Sequence, residues 1–144
     1  MSGLEFWHHH GGVSVPNLDE AIAWWRDVLG FELERRRPIE SVPCEMAMVR
    51  NGNLRIELFE VPGAKAPSEN RSYPDIDLYT WGNKHVSFAV EDVPAMAEEL
   101  ERRGADIVWV KKFEFGANIF LRDNAGNLIE FVQYPKPDPA ISTL

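Results

Sequence analysis

The chain has 144 residues, 44% of them hydrophobic and 26% charged, which fits one soluble globular domain with an adequate core. A formal net charge of −8 argues against nucleic acid, whose phosphates need clustered lysine and arginine. A single cysteine, Cys44, rules out an intramolecular disulfide and fits a reducing cytoplasm, and no apolar run reaches membrane-spanning length.

Residues 6–15 read as a strand, with Val13 and Val15 on one face and His10, Gly12 and Ser14 on the other. His8, His9 and His10 are too short a run for an affinity tag, and alternation turns His9 toward the helix side. Asn17 and Glu20 have the spacing of a capping box. Leu18, Ala21, Ile22, Trp25, Val28 and Leu29 then form the apolar stripe of a helix that Gly30 ends. Three strands follow, at about 31–37, 44–50 and 53–60. Asn51-Gly52 predicts the last hairpin, with positive φ at both positions. Arg55, Glu57 and Phe59 share one face of the last strand. Arg35, Arg36 and Arg37, the only basic run, read as a solvated strand end. No motif surrounds Cys44, and Asn70-Arg71-Ser72 matches a glycosylation sequon that has no meaning in a chain that is not secreted.

Residues 61–79 form a linker rich in proline, glycine and polar residues, whose length and aromatic residues predict a covering loop. The order then repeats over about 80–134. His85, Ser87 and Ala89 share a face of the opening strand. Asp92 caps a helix with the stripe Val93, Met96, Ala97 and Leu100, closed by Gly104. Strands at 106–113, 117–122 and 127–134 follow, and residues 135–144 read as an irregular tail. The reading is therefore one α+β domain over 1–144, made of two βαβββ modules.

The chemistry lies in what the repeat carries. His10 and Glu57 recur as His85 and Glu130 at nearly the same separation. Each histidine sits on a strand face otherwise made of Gly, Ser or Ala, which leaves room above the sheet. Each glutamate sits mid-strand among apolar residues, where an unpaired carboxylate is costly. A divalent cation would compensate both.

The segments His10-Gly11-Gly12-Val13-Ser14-Val15-Pro16-Asn17-Leu18-Asp19, Arg55-Ile56-Glu57-Leu58-Phe59-Glu60, Lys84-His85-Val86-Ser87-Phe88-Ala89-Val90-Glu91-Asp92 and Asp123-Asn124-Ala125-Gly126-Asn127-Leu128-Ile129-Glu130-Phe131 together resemble the vicinal oxygen chelate superfamily. That group includes glyoxalase I, methylmalonyl-CoA epimerase, extradiol dioxygenases and the bleomycin and fosfomycin resistance proteins. The resemblance covers residues 6–134. It implies paired modules forming an incomplete barrel around a metal, with His10, Glu57, His85 and Glu130 as ligands of Zn, Ni, Co, Mn or Fe.

The full His/Glu/His/Glu set looks most like glyoxalase I, so the expectation is a metal-dependent isomerase, epimerase or lyase acting on a small substrate with vicinal oxygens. Glu57 or Glu130 would move the α-proton. An Fe(II) ring-cleaving dioxygenase and a metal-free binding or resistance protein are the competing readings. Arg55, on the Glu57 face, is the candidate anion contact. Phe59, Leu128 and Val132, joined by Trp7, Tyr79, Trp81, Phe113, Phe115 and Phe120, suggest a mainly apolar substrate. Open strand edges predict a two-fold homodimer whose ligands come from one chain or from both.

Overall fold

The computed structural model describes residues 3–114 and 116–136. The chain divides into two compact units, Met1–Lys65 and Ala66–Leu144.

The first unit runs β1 (Gly11–Ser14), α1 (Leu18–Leu29), β2 (Glu32–Ile39), β3 (Cys44–Asn51) and β4 (Leu54–Glu60). Its four-stranded sheet has the order β1-β4-β3-β2, with β1 parallel to β4 and the other neighbours antiparallel. Asn17 starts the helix by accepting the Glu20 N–H at 2.9 Å, and Gly30, at φ 71°, ends it in a left-handed turn that a side chain would strain. The helix buries Leu18, Ala21, Trp25 and Val28. It packs against the sheet face carrying Ile56 and Leu58, both 1% exposed or less. Burying each large side chain of this kind is worth about 1.5–3 kcal/mol.

The second unit repeats the order with β5 (Val86–Val90), α3 (Val93–Arg102), β6 (Asp106–Phe113), β7 (Gly116–Arg122) and β8 (Leu128–Gln133), in a sheet ordered β5-β8-β7-β6. Asp92 caps α3 by accepting the Ala95 N–H, and Gly104 follows it at φ 78°. A second cap is common to both units. The last strand's terminal side chain, Glu60 or Gln133, accepts the first helical N–H, of Leu18 at 2.9 Å or Val93 at 3.0 Å. The fold is α+β, with paired βαβββ modules. No helix among the described residues is long and apolar enough to cross a membrane.

Three sequence expectations need correction. The first strand is confined to Gly11–Ser14 rather than 6–15, because nothing buries the apolar residues before it: Leu4, Phe6 and Trp7 are 73–84% exposed. The β3–β4 turn lies one residue later than the Asn51-Gly52 signal. Asn51 pairs with Leu54, so Gly52 and Asn53 are the turn residues, and only Gly52 has positive φ (59°). The stretch 61–79 also has structure of its own, a 3-10 turn at Glu69–Ser72 and a short helix α2 (Pro74–Asp77). Asp77, 1% exposed, holds them by accepting from Arg71 Nε at 2.9 Å and Lys84 Nζ at 3.3 Å. Burial pushes its carboxyl up, yet the two cations outweigh that and keep it below the usual carboxylate range. Of the tail, residues 137–144 lie outside the described residues.

Candidate metal centre

Residues paired across a sheet project from the same face, so the strand registers define each site. In the first unit, Gly12, Glu57, Met48 and Arg35 form one row across β1-β4-β3-β2, and Ser14, Phe59, Met46 and Arg37 form the next. This face lies opposite α1. His10, just before β1, brings its Nε2 to 2.8 Å from Glu57 Oε2, with side-chain exposures of 35% and 18%. The other ring nitrogen of His10, Nδ1, lies 2.6 Å from His9 Nδ1, so His9 meets His10 rather than turning to the helix side. Gly12, beside Glu57, lets the Phe59 ring come close, since a Cβ there would lie 3.3 Å from it.

In the second unit, Ser87, Glu130, Phe120 and Trp109 form the equivalent row, and Ala89, Val132, Asn118 and Lys111 the next. His85 Nε2 is 3.9 Å from Glu130 Oε1, and its ring meets the Phe120 edge at 4.7 Å between centroids. Both Glu130 oxygens accept hydrogen bonds. Ser87 Oγ donates to Oε1 at 2.6 Å, and Asn118 Nδ2 donates to Oε2 at 2.9 Å. Trp109 Nε1 in turn donates to Asn118 Oδ1 at 3.1 Å, which fixes the amide's orientation. A carboxylate held on both oxygens, beside an imidazole held by a ring, is the kind of support that metal ligands receive from their surroundings.

Each unit therefore brings together the His–Glu pair expected of it, on the sheet face away from its helix. An imidazole nitrogen beside a carboxylate is a donor pair of the kind that Zn, Ni, Co, Mn and Fe(II) accept. Within each unit the set has two members. Among the described residues, no three His, Cys, Asp or Glu side chains are grouped closely enough to hold a metal.

The expected substrate contacts fare unevenly. Phe59 lies on the Glu57 face, and Phe120 and Leu128 lie on the Glu130 face, the last two 5% and 6% exposed. Arg55 is not a free anion contact. Its Nε lies 2.9 Å from Glu34 Oε2, and their hydrogen bonds raise the guanidinium pKa and lower that of the carboxyl. Trp81 and Tyr79 are 99% and 91% exposed, and Phe115 lies outside the described residues.

Sequence reasoning passed over Asn118 and Trp109. One signal was present for Asn118, a polar side chain inside the apolar run Ala117–Leu121 of strand β7. Trp109 gave none, because it reaches the Glu130 face only through a bulge between Ile107 and Trp109.

Residues 9–121 match the Glyoxalase/Bleomycin resistance protein/Dioxygenase superfamily. A 2-epi-5-epi-valiolone epimerase of Actinomyces sp is 32% identical over 107 residues, which is 64% of this chain and 56% of that protein. The mitochondrial methylmalonyl-CoA epimerase of Mus musculus is 26% identical over 100 residues, 66% of this chain and 52% of that protein. The chain thus spans about half the length of these curated relatives. Among solved structures, a glyoxalase family protein from Enterococcus faecalis superimposes with a TM-score of 0.74 at 20% identity, over 88% of this chain and 97% of the other.

Proposed function

We propose that this chain, which belongs to the Glyoxalase/Bleomycin resistance protein/Dioxygenase superfamily, is a divalent-metal-dependent enzyme that moves a proton α to a carbonyl in a small substrate with vicinal oxygens. Isomerisation, epimerisation and lyase chemistry all begin with that step, and two relatives named as epimerases favour epimerisation. The observation that carries the reading is the repeated His–Glu pair. Each histidine lies beside a mid-strand glutamate on the face its helix leaves free.

His10, Glu57, His85 and Glu130 would hold the ion, which when bound acts as a Lewis acid toward the substrate's oxygens. The chain's own residues do the rest. A carboxylate, Glu57 or Glu130, takes the proton and returns it. Phe59 shares the Glu57 face of its sheet, and Phe120 and Leu128 share the Glu130 face of theirs, so each glutamate has apolar neighbours. We also assign the protein to the cytoplasm, whose reducing conditions suit its single cysteine, and to a homodimer, because each sheet ends in two edge strands that need a partner or a cover.

Turnover in deuterated water tests the reaction class. The proposal expects deuterium at the α-carbon and no oxygen uptake. Stoichiometric O₂ consumption without exchange would assign the Fe(II) dioxygenase instead. Ligand binding with neither change would leave a binding protein.

A further inference from the structure

Asn51 is followed by glycine, and every other asparagine of the chain precedes a residue with a side chain. That neighbour decides how readily the side-chain amide is lost. Ring closure needs the next backbone nitrogen to reach the asparagine Cγ, and glycine, lacking a Cβ, hinders the approach least. The structure sets this pair where β3 ends and the turn to β4 begins. Asn51, Gly52 and Asn53 are all exposed, Gly52 holds φ at 59°, and nothing lies within 4 Å of where its Cβ would be. The turn is therefore open to water, with room for a cyclic intermediate.

The side chain at risk is also a fastening. Asn51 Nδ2 donates to the Leu29 carbonyl at 3.1 Å. Leu29 is the last residue of α1, where carbonyls have no partner within the helix. The N–H groups of Gly30 and Phe31 serve the carbonyls of Arg26 and Trp25, and the Asn51 amide serves that of Leu29. Gly30 lies against the amide, since a Cβ there would be 3.4 Å from Nδ2. One side chain thus pins the end of the helix to the β3–β4 hairpin.

We propose that Asn51 is a site of spontaneous deamidation, and that its conversion unfastens α1 from the hairpin. In molecules where the Leu29 contact has opened, the Gly52 nitrogen attacks Asn51 Cγ and gives up its proton. The Cγ–Nδ2 bond breaks, ammonia leaves and a succinimide remains. Water then adds to one ring carbonyl and opens the ring to aspartate or isoaspartate. The net change is amide plus water to acid plus ammonia, so the reaction needs neither metal nor substrate. Either product lacks the N–H that the Leu29 carbonyl accepts. Either also puts a carboxylate near the negative end of the helix dipole, which favours cations. Isoaspartate further lengthens the backbone at the end of β3, where Asn51 pairs with Leu54.

The test incubates the whole protein in warm, mildly alkaline buffer and follows it by peptide mass mapping, an isoaspartate assay and melting curves. Asn51 should gain the mass of amide-to-acid conversion ahead of every other asparagine, with isoaspartate among the products. The converted fraction should melt about 2–6 °C lower, the shift that losing one hydrogen bond gives a chain of this size. Fresh Asn51→Asp protein should show the same loss without incubation. Asn51→Gln, whose longer side chain closes a ring far less readily, should keep its mass over this segment. Conversion of Asn53 or any other asparagine before Asn51 would overturn the site. So would an Asn51 that stays intact in the folded protein while the chain in denaturant converts there. Conversion of Asn51 with unchanged melting would overturn its part as the fastening.

Discussion

Asn118 donates its side-chain amide to Glu130 Oε2 at 2.9 Å, while the same register position of the first sheet holds Met46, which has no N–H to offer Glu57. Gly12 likewise stands where Ser87 stands, so the hydroxyl on Glu130 Oε1 has no counterpart either. The two glutamates are alike in sequence and unlike in restraint. Glu130 is fixed at both oxygens, and Glu57 is met by His10.

That difference predicts a selective loss of metal affinity. Asn118→Ala frees one oxygen of Glu130 and leaves Trp109 Nε1 without its acceptor. Affinity measured by chelator competition should fall about 10- to 100-fold. Met46→Leu, a near volume-conserving change at the matching position, should leave it unchanged. Equal effects of the two would show that the network does not serve the ligand.

A second expectation concerns the base. Glutamine keeps an oxygen donor but cannot take a proton, so Glu57→Gln and Glu130→Gln should largely keep metal while at least one loses rate, by roughly 10²–10⁴-fold. The lighter restraint on Glu57 makes it the residue expected to show the larger loss, read from α-deuterium exchange. Full rates in both variants would remove the carboxylates from the proton transfer.

Much of this arrangement was legible in the chain itself. Asn17, Gly30, Asp92 and Gly104 announce both helices, and the alternation of Ile56 and Leu58 against Glu57 and Phe59 reads directly as two faces. The bulges do not read. Nothing in Glu32–Ile39 tells that Glu34 is the extra residue, because a bulge is set by pairing with a distant strand rather than by local propensity. Arg55, whose acid Glu34 lies in another strand, thus looked like a free cation.

The latch around Asp77 should be visible in acid. Its carboxyl is held low in the folded state, so its contribution is present above the unfolded value of about 3.9 and is lost as pH falls through the lower folded value. Asp77→Asn should cost about 1–3 kcal/mol near neutrality, and the gap to wild type should close below pH 4. Melting curves across pH check both. A gap that widens in acid would show that the charge does not stabilise the fold.

Assembly has its own test. Light scattering at micromolar concentration should show a dimer, and a monomer would refute the edge-strand argument. If each site draws on two chains, mixing His10→Ala with Glu130→Ala protein should restore some activity.

The central claim is that His10 and His85 ligate one and the same kind of ion with Glu57 and Glu130. It is tested most directly by metal analysis of untagged protein and three single variants, each equilibrated with the metal that the wild type carries. The account predicts that His10→Ala and His85→Ala each lose most bound metal while His8→Ala keeps it. Full occupancy in His10→Ala or in His85→Ala would contradict it.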